Sequence, residues 1–151
     1  MLSIERADIR DASAITEIKI AAYNQEISTY LGRNGGPSGY DSIESQIHII
    51  KNFIAYKIIL DSHIIGGLFL IPIDSETMRF EDFVINPIYQ GKGYGYRTME
   101  LVEENYKNIL VWQLSTPIFS KGNQYLYEKF GYIEFSRDDN EIEYIKRITD
   151  K

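Results

Sequence analysis

The chain has 151 residues, 44% of them hydrophobic, with a formal net charge of -6 and no cysteine. That is the size of one ordinary domain, with enough apolar material to bury a core. Lack of cysteine excludes disulfide frameworks, thiolate zinc sites and cysteine nucleophiles, and the acidic balance weighs against nucleic acid, whose phosphates demand concentrated Lys and Arg.

No run approaches the roughly 20 apolar residues of a membrane span, and the amino terminus carries neither a basic leader nor a long apolar segment. A soluble, cytoplasmic protein with no membrane partner is expected. Only His48 and His63 offer imidazole, so no metal site is expected either.

Residues 2–6 alternate apolar and polar side chains as a half-buried strand does, and Asp11 then stands as a cap before Ile15, Ile18 and Ala22 at helical spacing. Residues 28–40 hold four glycines and a proline, which predicts a long loop. A second helix is expected from Asp41 or Ser42, with Glu44 completing a capping box and Ile43, Ile47 and Ile50 forming one stripe; His48 lies off it.

Residues 56–60, 63–71 and 79–85 are rich in β-branched and aromatic side chains, with polar turns between them, and predict a three-stranded meander. Gly66-Gly67 in its middle strand marks a bulge. Met99, Val102 and Tyr106 then recur at helical spacing, residues 108–114 read as a strand, and residues 123–130 as a short helix ended by Gly131. A hairpin of residues 133–137 and 143–148 closes the chain. The class these elements imply is α/β or α+β: a three-layer sandwich on a mixed, mostly antiparallel sheet of about six to seven strands with about four helices, spanning residues 1–151 as one domain.

Gln90-Gly91-Lys92-Gly93-Tyr94-Gly95 lies where a strand hands over to a helix. Backbone N–H groups at a helix start lack intrahelical partners, and the helix dipole adds partial positive charge there. Glycine lets phosphate oxygens approach several such amides at once. Lys92 and Arg97 add local charge. The dinucleotide fingerprint fails because Tyr96 stands at its third glycine, and the P-loop fails because Gly93 follows Lys92 where Ser or Thr is needed.

The pattern Gln90-x-x-Gly93-x-Gly95, after an apolar strand ending Ile85-Asn86-Pro87 and before an amphipathic helix, resembles the acyl-CoA-binding motif of the GNAT superfamily of N-acetyltransferases. A second stretch, Asn123-Gln-Tyr-Leu-Tyr-Glu-Lys-Phe-Gly-Tyr132, is similar to that family's late helix. The resemblance covers nearly the whole chain. It implies acetyl-CoA as co-substrate, with Phe83, Val84 and Ile85 offering backbone groups to the pantetheine arm and the amides of residues 90–95 holding the pyrophosphate. Asn123 resembles the Asn found early in the late helix, although four residues separate it from Tyr127, fewer than in many members.

Acetyl transfer to an amine requires a neutral amine, a place for the oxyanion and a proton for the leaving thiolate. The resemblance assigns that proton to Tyr127, and a phenol of pKa about 10 is protonated at neutral pH and able to donate to a thiolate of pKa about 8.5. Deprotonating an alkylammonium of pKa about 10 at pH 7 costs about 4 kcal/mol, so a base is needed. Alternation in a strand puts Glu81 and Asp82 on opposite faces, and Glu81, placed with Phe83 and Ile85, is the preferred base. A backbone N–H of residues 83–85 suits the oxyanion. No GxSxG nucleophile elbow is present.

The expected activity is therefore N-acetylation of a primary amine, on a small molecule or a peptide amino terminus, with the wall formed by residues 28–40, Tyr23 and Tyr30 facing the acceptor. A non-catalytic acyl-CoA-binding or protein-interaction module on the same fold is the alternative. The acceptor, the acyl chain length and the oligomeric state, a homodimer included, stay open.

Overall fold

The computed structural model describes residues 1–149. Seven strands, β1 (Leu2–Arg6), β2 (Ile54–Leu60), β3 (His63–Pro72), β4 (Thr77–Ile85), β5 (Val111–Pro117), β6 (Ile133–Arg137) and β7 (Glu141–Arg147), form one sheet in the order β1-β2-β3-β4-β5-β7-β6. Four helices accompany it: α1 (Ala12–Leu31), α2 (Ile43–Asn52), α3 (Tyr94–Asn105) and α4 (Lys121–Phe130). Each neighbouring pair is antiparallel except β4 with β5, which the intervening α3 joins in parallel. This is the mixed three-layer architecture expected from the sequence.

Consecutive strand residues face opposite sides, and the two ends of β4 show which helices lie where. Val84 packs with Ile18 and Ala22 of α1. Ile85 joins the larger core, which holds Met99 and Val102 of α3, Tyr127 and Phe130 of α4, and Ile58, Leu70 and Trp112 of the sheet. Helices α1 and α2 therefore cover one face, and α3 and α4 the other.

Several boundaries differ from expectation. Residues 28–31 belong to α1 rather than to a loop, because the breakers begin only at Gly32, which ends the helix in the left-handed region at φ 70°. Asp11 holds the cap position of α1 without bonding the helix; its carboxylate accepts instead from Asp8 N at 2.9 Å and Lys57 Nζ at 3.0 Å. Ser42 caps α2 by accepting from Ser45 N, so Glu44 stands one position too early for the capping box. Strand β5 starts at Val111 because the chain before it is still turning, with Ile109 N donating to Tyr106 O.

The Gly66-Gly67 irregularity is present. Gly67 pairs with Val84 and Phe69 with Glu81, so Leu68 faces both Asp82 and Phe83, and β4 carries the extra residue. Asp82 takes φ 55°, a left-handed conformation that Asp tolerates better than most residues. A Cβ on Gly66 would run directly into the Val84 carbonyl oxygen, so this close approach requires glycine.

Candidate active site

Strands β4 and β5 pair only from Thr77 to Arg79 and from Val111 to Gln113, and then separate. Beyond Arg79, β4 continues along β3 while β5 continues along β7. The β5-facing edge of β4 over Phe83, Val84 and Ile85 therefore has no strand partner, although the Ile85 carbonyl already accepts from the Gln90 side chain. All three residues line a cleft of about 640 Å³ that begins at this split.

The glycine loop forms one end of the cleft. Gly91 and Gly93 take φ 75° and 85°, and an added Cβ on either would meet no atom within 4 Å, so these glycines serve backbone conformation and open space rather than packing. Gly93 caps α3 without a side-chain hydrogen bond. The first α3 amide with a carbonyl partner is that of Arg97, donating to Gly93 O at 3.2 Å; among the described residues the amides from Gly91 to Tyr96 have no backbone partner outside the helix. Gln90 Nε2 donates to Ile85 O at 3.0 Å and ties the loop to the end of β4.

Gln90, Gly91, Gly93, Tyr94, Gly95 and Asn123 all line the cleft. Lys92 does not; its side chain is exposed. Arg97 is also turned elsewhere, to Glu100 at 3.4 Å and Glu104 at 3.1 Å on the outer surface of α3. Among the described residues, the cation that does border the cleft is Lys129 of α4, on the same helical face as Asn123 and Leu126.

Tyr127 is buried, 5% exposed, with its ring 6.1 Å from those of Tyr132 and Tyr144. Burial is the first cause of a pKa well above that of free phenol, and the carboxylates of Glu26 and Glu81 add to it. The group is thus a proton donor throughout the neutral range. It does not line the main cleft; it stands behind it, within the electrostatic reach of Glu26 and Glu81.

The bulge overturns the expected placement of Glu81. Phe83 meets Phe80 edge to face at 5.1 Å in the larger core, whereas Glu81 pairs with Arg79 Nη2 at 3.3 Å on the opposite side of the sheet. The extra residue breaks strict alternation, so Glu81 and Phe83 do not share a face. Arg79 also reaches Glu143 at 3.3 Å and is thereby shared between two carboxylates. Burial raises the Glu81 pKa above the ordinary value, opposed by Arg79. Asp82 turns to α1, accepting the Tyr23 hydroxyl at 2.5 Å and pairing with Lys19 at 2.6 Å.

Helix α1 brings residues the sequence reading passed over: Gln25, Glu26 and Thr29 line the cleft. The signal was present, since Glu26 falls four residues after Ala22 on the face that also carries Ile15 and Ile18. A carboxylate that continues an apolar stripe is a group the fold places under cover. Tyr30, anticipated beside the acceptor, lines the cleft as well and packs on Phe119 at 5.7 Å, closing α1 against the segment after β5.

Residues 51–134 match the family model of the acetyltransferase (GNAT) domain. The chain is similar to uncharacterized protein YrkN of Bacillus subtilis (strain 168), 25% identical over 126 residues that cover 80% of this chain and 68% of that protein. Among solved structures it resembles the PaiA N-acetyltransferase of Thermoplasma acidophilum in complex with coenzyme A, with a TM-score of 0.83, 18% identity and 98% and 99% of the two chains covered. A GNAT-family acetyltransferase from Streptococcus agalactiae superposes with a TM-score of 0.84, at 18% identity and 98% and 96% coverage. At such identities these structures establish the fold, and the family model adds the sequence pattern that runs from the end of α2 through the split strands, the glycine loop and α4. On both grounds, the chain belongs to the GNAT acetyltransferase family.

Proposed function

We propose that this protein is an N-acetyltransferase that moves an acetyl group from acetyl-CoA directly to a primary amine, on a small molecule or a peptide amino terminus. The observation that carries the reading is the continuity of two features in one cleft, an unpaired strand edge and a row of unengaged amides at a helix start, with a buried phenol outside its lining. A pantetheine arm is an extended amide chain and suits the β4 edge as a further strand does. A pyrophosphate suits the amides of residues 91–96 and the positive end of α3.

Acetyl-CoA supplies an activated acyl thioester. In this reading the backbone amides of β4 past the split stabilise charge that develops on the acyl oxygen. Tyr127 holds a proton for the sulfur, which leaves as a thiol rather than as a thiolate. The amine makes the new C–N bond as the C–S bond breaks, with no covalent enzyme intermediate. Being buried, the phenol keeps its proton until it is needed.

The test is a calorimetric titration with acetyl-CoA of the native protein and of Gly93→Asp. The new carboxylate would stand over the amides and repel phosphate, as well as straining a residue at φ 85°. Micromolar binding by the native protein that the variant loses supports the reading. Equal or absent binding in both proteins overturns it.

A further inference from the structure

Glu26 differs from every other carboxylate around the cleft. Glu81 and Asp82 on β4 are ion-paired, to Arg79 and Lys19. Glu26 has no ion pair among the described residues, yet it lines the cleft and is only partly exposed. Two hydroxyls lie within its electrostatic reach. Ser120 is fully buried and its Oγ makes no hydrogen bond, though it stands close enough to the Glu26 carboxylate to favour its charge. Tyr127, itself buried, counts Glu26 as its strongest charged neighbour.

Buried polar groups are ordinarily paired, and a carboxylate without a cation that lines a cleft beside a buried serine hydroxyl marks a place suited to a donor. An ammonium is the donor that a carboxylate and hydroxyl acceptors suit together. Resting on the N-acetyltransferase reading above, we infer that Glu26 receives the ammonium of the acceptor amine and takes its first proton, the role the sequence alone favours for Glu81.

Glu81 is the weaker base because Arg79, 3.3 Å away, holds its charge in place. Among the described residues no cation is paired with Glu26; burial raises its pKa, opposed by the Ser120 hydroxyl. The titratable groups within its electrostatic reach are Tyr23 on its own helix and Tyr127 on α4, and Lys129 lines the same cleft.

The protons balance. Of the three on the ammonium, one goes to Glu26 and on to water, and one stays on the amide nitrogen. The third replaces the proton that Tyr127 gives to sulfur. The products are an N-alkylacetamide, CoA thiol and one released proton.

The experiment compares native protein with Glu26→Gln, using n-butylamine and hydroxylamine as acceptors and following CoA thiol release. Hydroxylamine is already neutral at pH 7 and needs no base, whereas butylamine is almost wholly protonated. Glu26→Gln should lower kcat/KM for butylamine by about 100-fold or more and leave hydroxylamine turnover as it was, which also shows that the variant folds. Glu26→Asp should recover part of the loss. Calorimetry of butylammonium chloride added to the CoA complex should show binding to native protein that Glu26→Gln weakens.

Equal losses with both acceptors, no loss with butylamine, or no butylamine turnover by native protein that does use hydroxylamine would each overturn the assignment. Native protein that releases CoA with neither acceptor and does not bind acetyl-CoA would instead overturn the N-acetyltransferase reading beneath it.

Discussion

Lys19 Nζ lies 2.6 Å from Asp82 Oδ2, an ion pair between the middle of α1 and the bulged residue of β4, with both side chains largely out of water. Lys19 also donates to Gln46 of α2 at 3.0 Å, and Tyr23 donates to the other Asp82 oxygen. This buried network ties both helices of one layer to the point where β4 leaves regular pairing. It thereby fixes which way Phe83 and Val84 face in the cleft.

Removing one partner of such a pair leaves an uncompensated charge. Lys19→Met is expected to destabilise the protein by about 3–5 kcal/mol, read as a lowered urea midpoint. Adding Asp82→Asn, which keeps a residue tolerant of the left-handed region, should recover much of the loss. A double variant no more stable than the single one would show that Asp82 is not the group left stranded.

Gly66→Ala should cost about 1–3 kcal/mol through overpacking, because its methyl meets the Val84 carbonyl and cannot be relieved by a rotamer change. The strand β4 is the wall of the cleft, so acetyl-CoA affinity should fall with stability. Thermal unfolding with and without acetyl-CoA measures both; unchanged melting would mean that the bulge relaxes freely.

Tyr127→Phe removes a hydroxyl but keeps the ring that packs on Tyr132 and Tyr144. Turnover should fall by about 100-fold or more, with acetyl-CoA affinity nearly unchanged. A variant as active as the native protein would assign the phenol to packing and leave the thiolate to be protonated by water.

Glu26 also carries a stability signature. Burial raises its folded pKa above the unfolded value, so between those two values the native state binds more protons than the unfolded chain and stability falls as pH rises. Above the raised value the full penalty is present; below the unfolded value it is absent. Glu26→Gln should therefore be more stable than native protein at pH 7, with the gain vanishing below the ordinary glutamate range. Denaturant midpoints across pH check this, and a constant difference would remove charge burial as its cause.

The sequence by itself determined the elements that depend on local chemistry. Periodicity marked the helices and strands, Gly131 ended α4, and Gly91 and Gly93 announced a helix start with open amides, because these signals act within a few residues. The role expected of Tyr127 came from the likeness of residues 123–132 to the family's late helix, and folding added the burial that keeps the phenol protonated.

Tertiary structure decided what depended on distant partners. The face of Glu81 was set by a bulge that exists only through pairing of β4 with β3, and its charge was claimed by Arg79. Arg97 was drawn away by Glu100 and Glu104, leaving Lys129 as the cation at the cleft. Glu26 acquired its setting when α1 continued past its apolar stripe and α4 arrived with Ser120 and Tyr127. A carboxylate's chemistry follows from its desolvation and its neighbours, and both are properties of chain segments that meet only on folding.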